Sequence, residues 1–273
     1  MLRAAVSYRA VERTDGKEKE SSMTSEREED EGRIEGKNPV MEALKAGRRI
    51  DKLYIAGGDK DRTLAFIAAK ARAAGAVISE TDRNKLDRMS VTHAHQGVIA
   101  IAAVKDYVSP EAILAAAEEK GEKPLIVICD DISDPHNLGA IIRTAEAAGA
   151  HGVIIPKHRS AGLTAVVEKT SAGAVEHMAV ARVANLAAAV KLLKDRGVWI
   201  FGTDAGGEMA LWQADLKDSA AIVIGSEGRG MSRLMKESCD FLLSIPMAGK
   251  VNSLNASAAA AVVIYEAVRQ RMN

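Results

Sequence analysis

The chain has 273 residues, 47% of them apolar, and its 37 basic and 37 acidic side chains leave no net charge. That is enough apolar material to bury a core in one or two globular domains. The longest apolar stretch, Ala256 to Tyr265, is about half of a bilayer span, and Arg3, Arg9, Glu12 and Arg13 interrupt any signal-like apolar run, so membrane-spanning and secreted classes are disfavoured.

Cys129 and Cys239 are the only cysteines, which argues against a disulfide framework and for a reducing, cytoplasmic setting. Both are expected to be inert and at least partly buried. The neutral total hides an asymmetry: residues 1–31 hold 6 basic and 9 acidic side chains, residues 32–106 hold 14 and 9, and residues 107–273 hold 17 and 19. The middle block, at +5, is suited to an anionic partner or simply to a soluble surface.

Residues 1–31 read as a disordered leader, because the acidic run before Gly32 has too little apolar surface to offset ordering entropy. Met23 is a candidate start of translation. Order is expected from Gly32. Asn38-Pro39 reads as an N-cap and first helical residue, with Gly47 closing the helix. A strand over Ile50 to Ala56, a helix from Asp61 to Ala74, a strand over Ala76 to Ser79, a helix from Arg83 to Met89 and a strand from Gly97 to Val104 complete a small α/β domain, 32–106. His93 and His95 lack companion ligands at metal spacing and read as solvated or RNA-facing.

Pro110 and the stretch Glu118 to Lys123 mark a linker, 107–123, with one short Ala-rich helix. Six apolar runs follow: Leu125 to Cys129, Gly152 to Ile155, Met178 to Arg182, Val198 to Gly202, Ala221 to Gly225 and Phe241 to Ile245. Their near-continuous apolar character, with helical patterns between, predicts a parallel sheet covered on both faces over 124–273.

Three polar segments interrupt this pattern where strands give way to helices, the usual place for ligands in an open α/β sheet. The first is Asp134-Pro135-His136-Asn137-Leu138-Gly139, running on to Arg143-Thr144-Ala145. Asn137 is placed to cap a helix from Leu138 to Gly149, with Arg143 on its second turn; by spacing alone these are either a cap and a surface charge or functional groups. The second, Gly225-Ser226-Glu227-Gly228-Arg229-Gly230-Met231-Ser232, lets backbone amides approach a ligand but fits neither a P-loop nor a dinucleotide fingerprint. Glu227, if enclosed, needs a cationic or hydrogen-bonding partner, and Arg143 is the natural candidate. The third, Asn252-Ser253-Leu254-Asn255-Ala256-Ser257, leads into an Ala-rich helix from about Leu254 to Gln270. Lys157-His158-Arg159 reads equally as a phosphate contact or a solvated loop, and Gly202 to Gly207 fails the dinucleotide spacing.

Together these segments resemble the signature motifs of the SpoU/TrmH (SPOUT) RNA ribose 2'-O-methyltransferases. Gly36-Lys37-Asn38-Pro39-Val40 and His95-Gln96-Gly97-Val98 resemble the ribosomal-protein-like RNA-binding domain of one subgroup, RlmB, which methylates a guanosine in large-subunit (23S) ribosomal RNA. The resemblance implies a trefoil knot, a homodimer whose partner completes the site, and S-adenosylmethionine held by Gly225, Ile245 and Leu254, with Thr203 beside them. It also implies catalytic roles for Asn137, Arg143, Glu227, Ser253 and Asn255, with no metal. The family usually has Val where Ala256 stands. Transfer RNA is the alternative substrate, and a non-catalytic RNA-binding relative would be expected to have lost these polar residues.

Overall fold

The computed structural model describes residues 32–58 and 61–272, so the expected leader and the candidate start at Met23 lie outside the described residues. The described residues divide into two compact units, the first ending at Ala102 and the second beginning at Ala103.

The first unit runs β1 (Arg33–Glu35), α1 (Lys37–Lys45), β2 (Ile50–Ala56), α2 (Arg62–Ala73), β3 (Val77–Thr81), α3 (Arg83–Met89) and β4 (Val98–Ala102). Helix α1 starts earlier than Asn38: Gly36, at φ 92°, occupies the cap without a side-chain bond, a backbone angle that glycine alone adopts cheaply. The short strand β1 has no signature in the sequence, yet it pairs antiparallel with β4. The sheet order is β1-β4-β2-β3. One face buries Leu53, Ile55, Val98 and Ala100 against Val40, Leu44, Leu64 and Ile67 of α1 and α2. Glu35 accepts from Ser90 Oγ at 2.6 Å and from the Val91 N–H at 2.8 Å, bracing the loop that follows α3. His95 is buried rather than solvated, its Nε2 2.9 Å from Asp87 and its Nδ1 accepting from the Gly97 N–H at 3.0 Å.

The second unit runs α4 (Pro110–Glu119), β5 (Leu125–Asp130), α5 (Pro135–Ala147), β6 (Gly152–Pro156), α6 (Ala165–Thr170), β7 (Val180–Val183), α7 (Leu186–Asp195), β8 (Trp199–Thr203), β9 (Met209–Ala210), β10 (Ala220–Gly225), α8 (Arg233–Ser238), β11 (Phe241–Ser244) and α9 (Ala256–Arg271). The sheet order is β7-β6-β5-β10-β8-β11-β9, and every recorded pairing is parallel. Strand alternation divides the core in two. Val127, Cys129, Val153, Ile222 and Ile224 pack with α5, α6 and α9, whereas Ile126, Ile128, Ile154, Ala221 and Val223 pack with α4, α7 and α8. Both faces are therefore covered, the condition under which parallel strands read as continuous apolar runs.

Burial raises the Cys129 thiol to about 12, which keeps it un-ionised. Helix α4 lies within the stretch expected to act as a linker, and its Ile113, Leu114 and Ala117 are buried in the second core. A Cβ on Gly152 would lie 2.5 Å from Ile113, so the helix docks on β6 because that residue has no side chain.

Two tests follow from this packing. Ile113→Ala should lower stability in urea unfolding by about 2–5 kcal/mol, the usual cost of a core truncation; a change under about 0.5 kcal/mol would show that α4 is only tethered. For Glu35, burial raises the carboxyl, but the bonds from Ser90, Thr92 and Val91 outweigh it and bring it from 4.5 down to about 2. A depressed folded value stabilises above the unfolded value, so this contribution is present above about pH 4.5 and lost as pH falls toward 2. The stability gap between wild type and Glu35→Gln should close across that window.

Candidate active site

The parallel strands β8, β10 and β11 end side by side, and the loops leaving them line a cleft of about 540 Å³. That volume suits a small-molecule ligand, and the carboxyl ends of parallel strands are where such ligands sit. The lining includes Thr203 and Asp204 after β8, Gly225 to Gly230 after β10, Ile245 and Met247 after β11, and Asn252 to Ala256 leading into α9. All four residues expected to hold a cofactor, Thr203, Gly225, Ile245 and Leu254, are among them.

The loop after β10 is shaped by its own backbone. Ser226 and Gly230 exchange N–H···O bonds of 3.1 and 2.9 Å, and Gly228 and Gly230 take φ values of 79° and 67°. A Cβ on Gly225 would fall 2.3 Å from the Gly230 carbonyl carbon and the Met231 nitrogen. Glycine is thus required for the loop to fold back on the strand end and leave a wall of bare backbone. Thr203 spends its hydroxyl hydrogen on the Val223 carbonyl at 2.9 Å, joining β8 to β10 rather than donating into the cleft.

At one end of the cleft Glu227 gathers the other two segments. Its Oε1 accepts from Asn137 Nδ2 at 3.3 Å, from Asn255 Nδ2 and from the Ala256 N–H at 3.4 Å, while Asn255 Nδ2 also donates to Asn137 Oδ1 at 3.0 Å. Glu227 Oε2 has no partner among the described residues. Asn255 also caps α9: its Oδ1 accepts from the N–H groups of Ser257 at 2.9 Å and Ala258 at 3.2 Å. Asn137 is not a cap. Asp134 takes that role, accepting from the His136 N–H at 2.9 Å with Pro135 following, which leaves the Asn137 amide for Glu227 and Asn255.

Arg143 does not meet Glu227. It lies six residues beyond Asn137 on α5, about 9 Å along the axis and well round the helix, exposed and without an ion pair among the described residues. Ser253 lines the cleft and, among the described residues, its hydroxyl bonds only to Asn252, at 3.5 Å.

Asp204 was not singled out by sequence. Its carboxylate accepts from the Gly206 N–H at 2.9 Å and ion-pairs with Lys236 at 2.5 Å. Burial raises its pKa, but Lys236 and Gly206 outweigh burial and hold the carboxyl below its ordinary range. Its position at a strand's carboxyl end was the signal available. Lys157, His158 and Arg159 lie outside this cleft, with Arg159 3.4 Å from Asp131.

The SpoU rRNA Methylase family profile matches residues 124–265, and a profile described as RNA 2'-O ribose methyltransferase substrate binding matches residues 33–108. The chain belongs to the SpoU rRNA methylase family. It is an RNA methyltransferase of the TrmH/SpoU class. YacO of Bacillus subtilis, assigned to the TrmH family of tRNA/rRNA methyltransferases, is 49% identical over 86% of this chain and 94% of its own. The crystal structure of the SpoU methyltransferase AviRb from Streptomyces viridochromogenes, in complex with the cofactor AdoMet, superposes with a TM-score of 0.57 at 26% identity, covering 88% of this chain and 90% of that one. The A. aeolicus TrmH/SpoU tRNA modifying enzyme gives 0.51 at 30% identity, over 60% of this chain and 84% of its own.

Removing the Asn255 side chain should cost about 1–2 kcal/mol in urea unfolding, since the cap and the Glu227 contact go together. Ser253→Ala, at an exposed side chain, should stay within about 0.5 kcal/mol of wild type. Equal effects would show that neither the cap nor the Glu227 contact of Asn255 adds to stability.

Proposed function

We propose that the chain transfers the methyl group of S-adenosylmethionine to a ribose 2'-hydroxyl, that of a guanosine in 23S ribosomal RNA, in the manner of the RlmB subgroup and in the cytoplasm. The observation that carries this reading is the Asn137–Glu227–Asn255 cluster at the end of a backbone-walled cleft. The bare backbone of Gly225, with Ile245, Leu254 and Thr203 around it, fits a cofactor held chiefly by main-chain groups. S-adenosylmethionine bound there would supply an electrophilic methyl group on a sulfonium.

The chain's own residues must present the hydroxyl in line and bear the charge that forms on it. Glu227 Oε2 is free to accept a hydrogen bond, and the Asn137 and Asn255 amides keep that carboxylate in one orientation. Ser253 lines the cleft with an exposed side chain, and in this reading it holds the ribose. A guanidinium offers donors and no acceptor, so the part of Arg143 is to bind the adjacent phosphate and stabilise the developing alkoxide rather than to remove a proton.

Exposed and unpaired on α5, Arg143 suits a homodimer in which each subunit's arginine serves the other's cleft. Family membership supports that dimer and a trefoil knot in the stretch leading to α9. Transfer RNA is the second reading, favoured by the tRNA modifying enzyme among the similar structures. The +5 balance of residues 32–106 favours a large structured RNA.

Labelled methyl donor incubated with 23S ribosomal RNA and with transfer RNA should mark the ribosomal RNA, at a ribose made resistant to alkali. Label confined to transfer RNA would overturn the substrate. For the dimer, Arg143→Ala and Glu227→Ala should each be inactive alone, while an equal mixture should recover about a quarter of wild-type activity, because half the dimers carry one complete site. No recovery would place the arginine in its own subunit's site.

A further inference from the structure

The first unit carries a surface that the transfer chemistry does not use. One face of its sheet is closed by α1 and α2; the other carries α3, which sets Leu86 and Met89 against Ile99 and Ile101. Beside α3 on that second face stands Tyr54, half-buried, its backbone paired with Ser79 of β3 on one side and Ile99 of β4 on the other. Strand alternation puts Lys52 and Tyr54 on this face and sends Leu53 and Ile55 into the core.

Two ammonium groups are drawn to the Tyr54 ring. Lys52 Nζ lies 4.6 Å from its centroid and Lys85 Nζ, reaching over from α3, lies 6.0 Å away. Neither ammonium has a carboxylate partner among the described residues, and the Tyr54 hydroxyl has no hydrogen bond there. Of the β3 side chains on this face, Val77 beside Lys52 is apolar and Ser79 and Thr81 are hydroxyls, while Glu80 is in register with Ile55 on the opposite face. A π-face, two free cations and a fringe of hydroxyls therefore share one surface without an opposing carboxylate from β3.

We propose that Tyr54, Lys52 and Lys85 form a site for single-stranded RNA, in which a base stacks on the Tyr54 ring and the flanking phosphates draw the two ammoniums off it. The proposal rests on the RNA reading above and says where the first unit grips its substrate. An exposed cation–π contact is weak, so a phosphodiester displaces it readily and frees the ring. Stacking on an aromatic face is tolerant of sequence, which suits a grip that acts apart from the transfer site.

The test is fluorescence anisotropy with a labelled 12-nucleotide oligouridylate and the full chain. Tyr54→Leu should bind about tenfold more weakly and Tyr54→Phe within about twofold of wild type, because the ring and not the hydroxyl is used. Lys52→Gln should flatten the salt dependence of log Kd by about 0.7, the share of one phosphate on a single strand. Should Tyr54→Leu fail to fold, the double variant Lys52→Gln, Lys85→Gln carries the same expectation of about tenfold. Equal Kd values for wild type and folded Tyr54→Leu, or for the double variant, would overturn the site.

Calorimetry with S-adenosylmethionine separates the two readings. Variants that bind the cofactor normally but lose RNA support the proposal, whereas a wild-type chain that grips the oligonucleotide through Tyr54 yet binds no cofactor sinks the methyl-transfer reading alone.

Discussion

The single acceptor atom Glu227 Oε1 ties two distant stretches of the second unit to the loop after β10. Three donors from two distant stretches of chain meet on it: the Asn137 amide from α5, and the Asn255 amide and Ala256 N–H from the start of α9. Each of these donors would otherwise lie at a helix end or a loop, where backbone is least constrained. Because Oε1 is fully engaged and Oε2 is not, one anchored carboxylate offers one free oxygen, which is a more specific arrangement than an exposed acid.

That arrangement depends in turn on where side chains are absent. The loop from Gly225 to Gly230 closes on itself only because no Cβ stands 2.3 Å from the Gly230 carbonyl carbon. Gly139, on the helix that supplies Asn137, approaches Thr170 so closely that a Cβ would lie 1.9 Å from its Oγ1. Such approaches position α5 and the loop after β10 to a few tenths of an ångström, the tolerance a three-way hydrogen-bond junction needs. Glycine here acts through close packing as well as through backbone freedom.

The strands of the second unit were legible in the sequence because both faces are buried, leaving runs such as Leu125 to Cys129 with no polar interruption. Short strands such as β1 and β9 were not, since three residues, or two, carry no periodicity and exist only through their pairing partners. Helix starts shifted where two capping residues competed: Pro135 at the first position makes Asp134 the better cap, and the shift releases Asn137 for the site. The expected Arg143–Glu227 pair failed for a related reason. Spacing along the chain says how far apart two residues are, but six residues on a helix also turn the side chain away, and the oppositely charged partner proved less important than two amides. His95 was misread as exposed because nothing local signals that its ring bridges Asp87 and the Gly97 N–H.

Charge divides along the same line as structure. Residues 107–273, which carry the cleft, are slightly acidic, with 17 basic against 19 acidic side chains, and Glu227 and Asp204 both line the cleft. Arg229 lines it too, and Lys236 pairs with Asp204, so the cleft carries no large excess of either sign with which to hold a polyanion. RNA affinity rises with each phosphate neutralised and falls steeply with salt, so it must come from elsewhere on the chain. The +5 excess within residues 32–106 can supply it. An enzyme built this way can keep its reaction cleft small while most of its grip on RNA comes from lysines and arginines outside it, so substrate affinity and methyl-transfer rate can change largely independently.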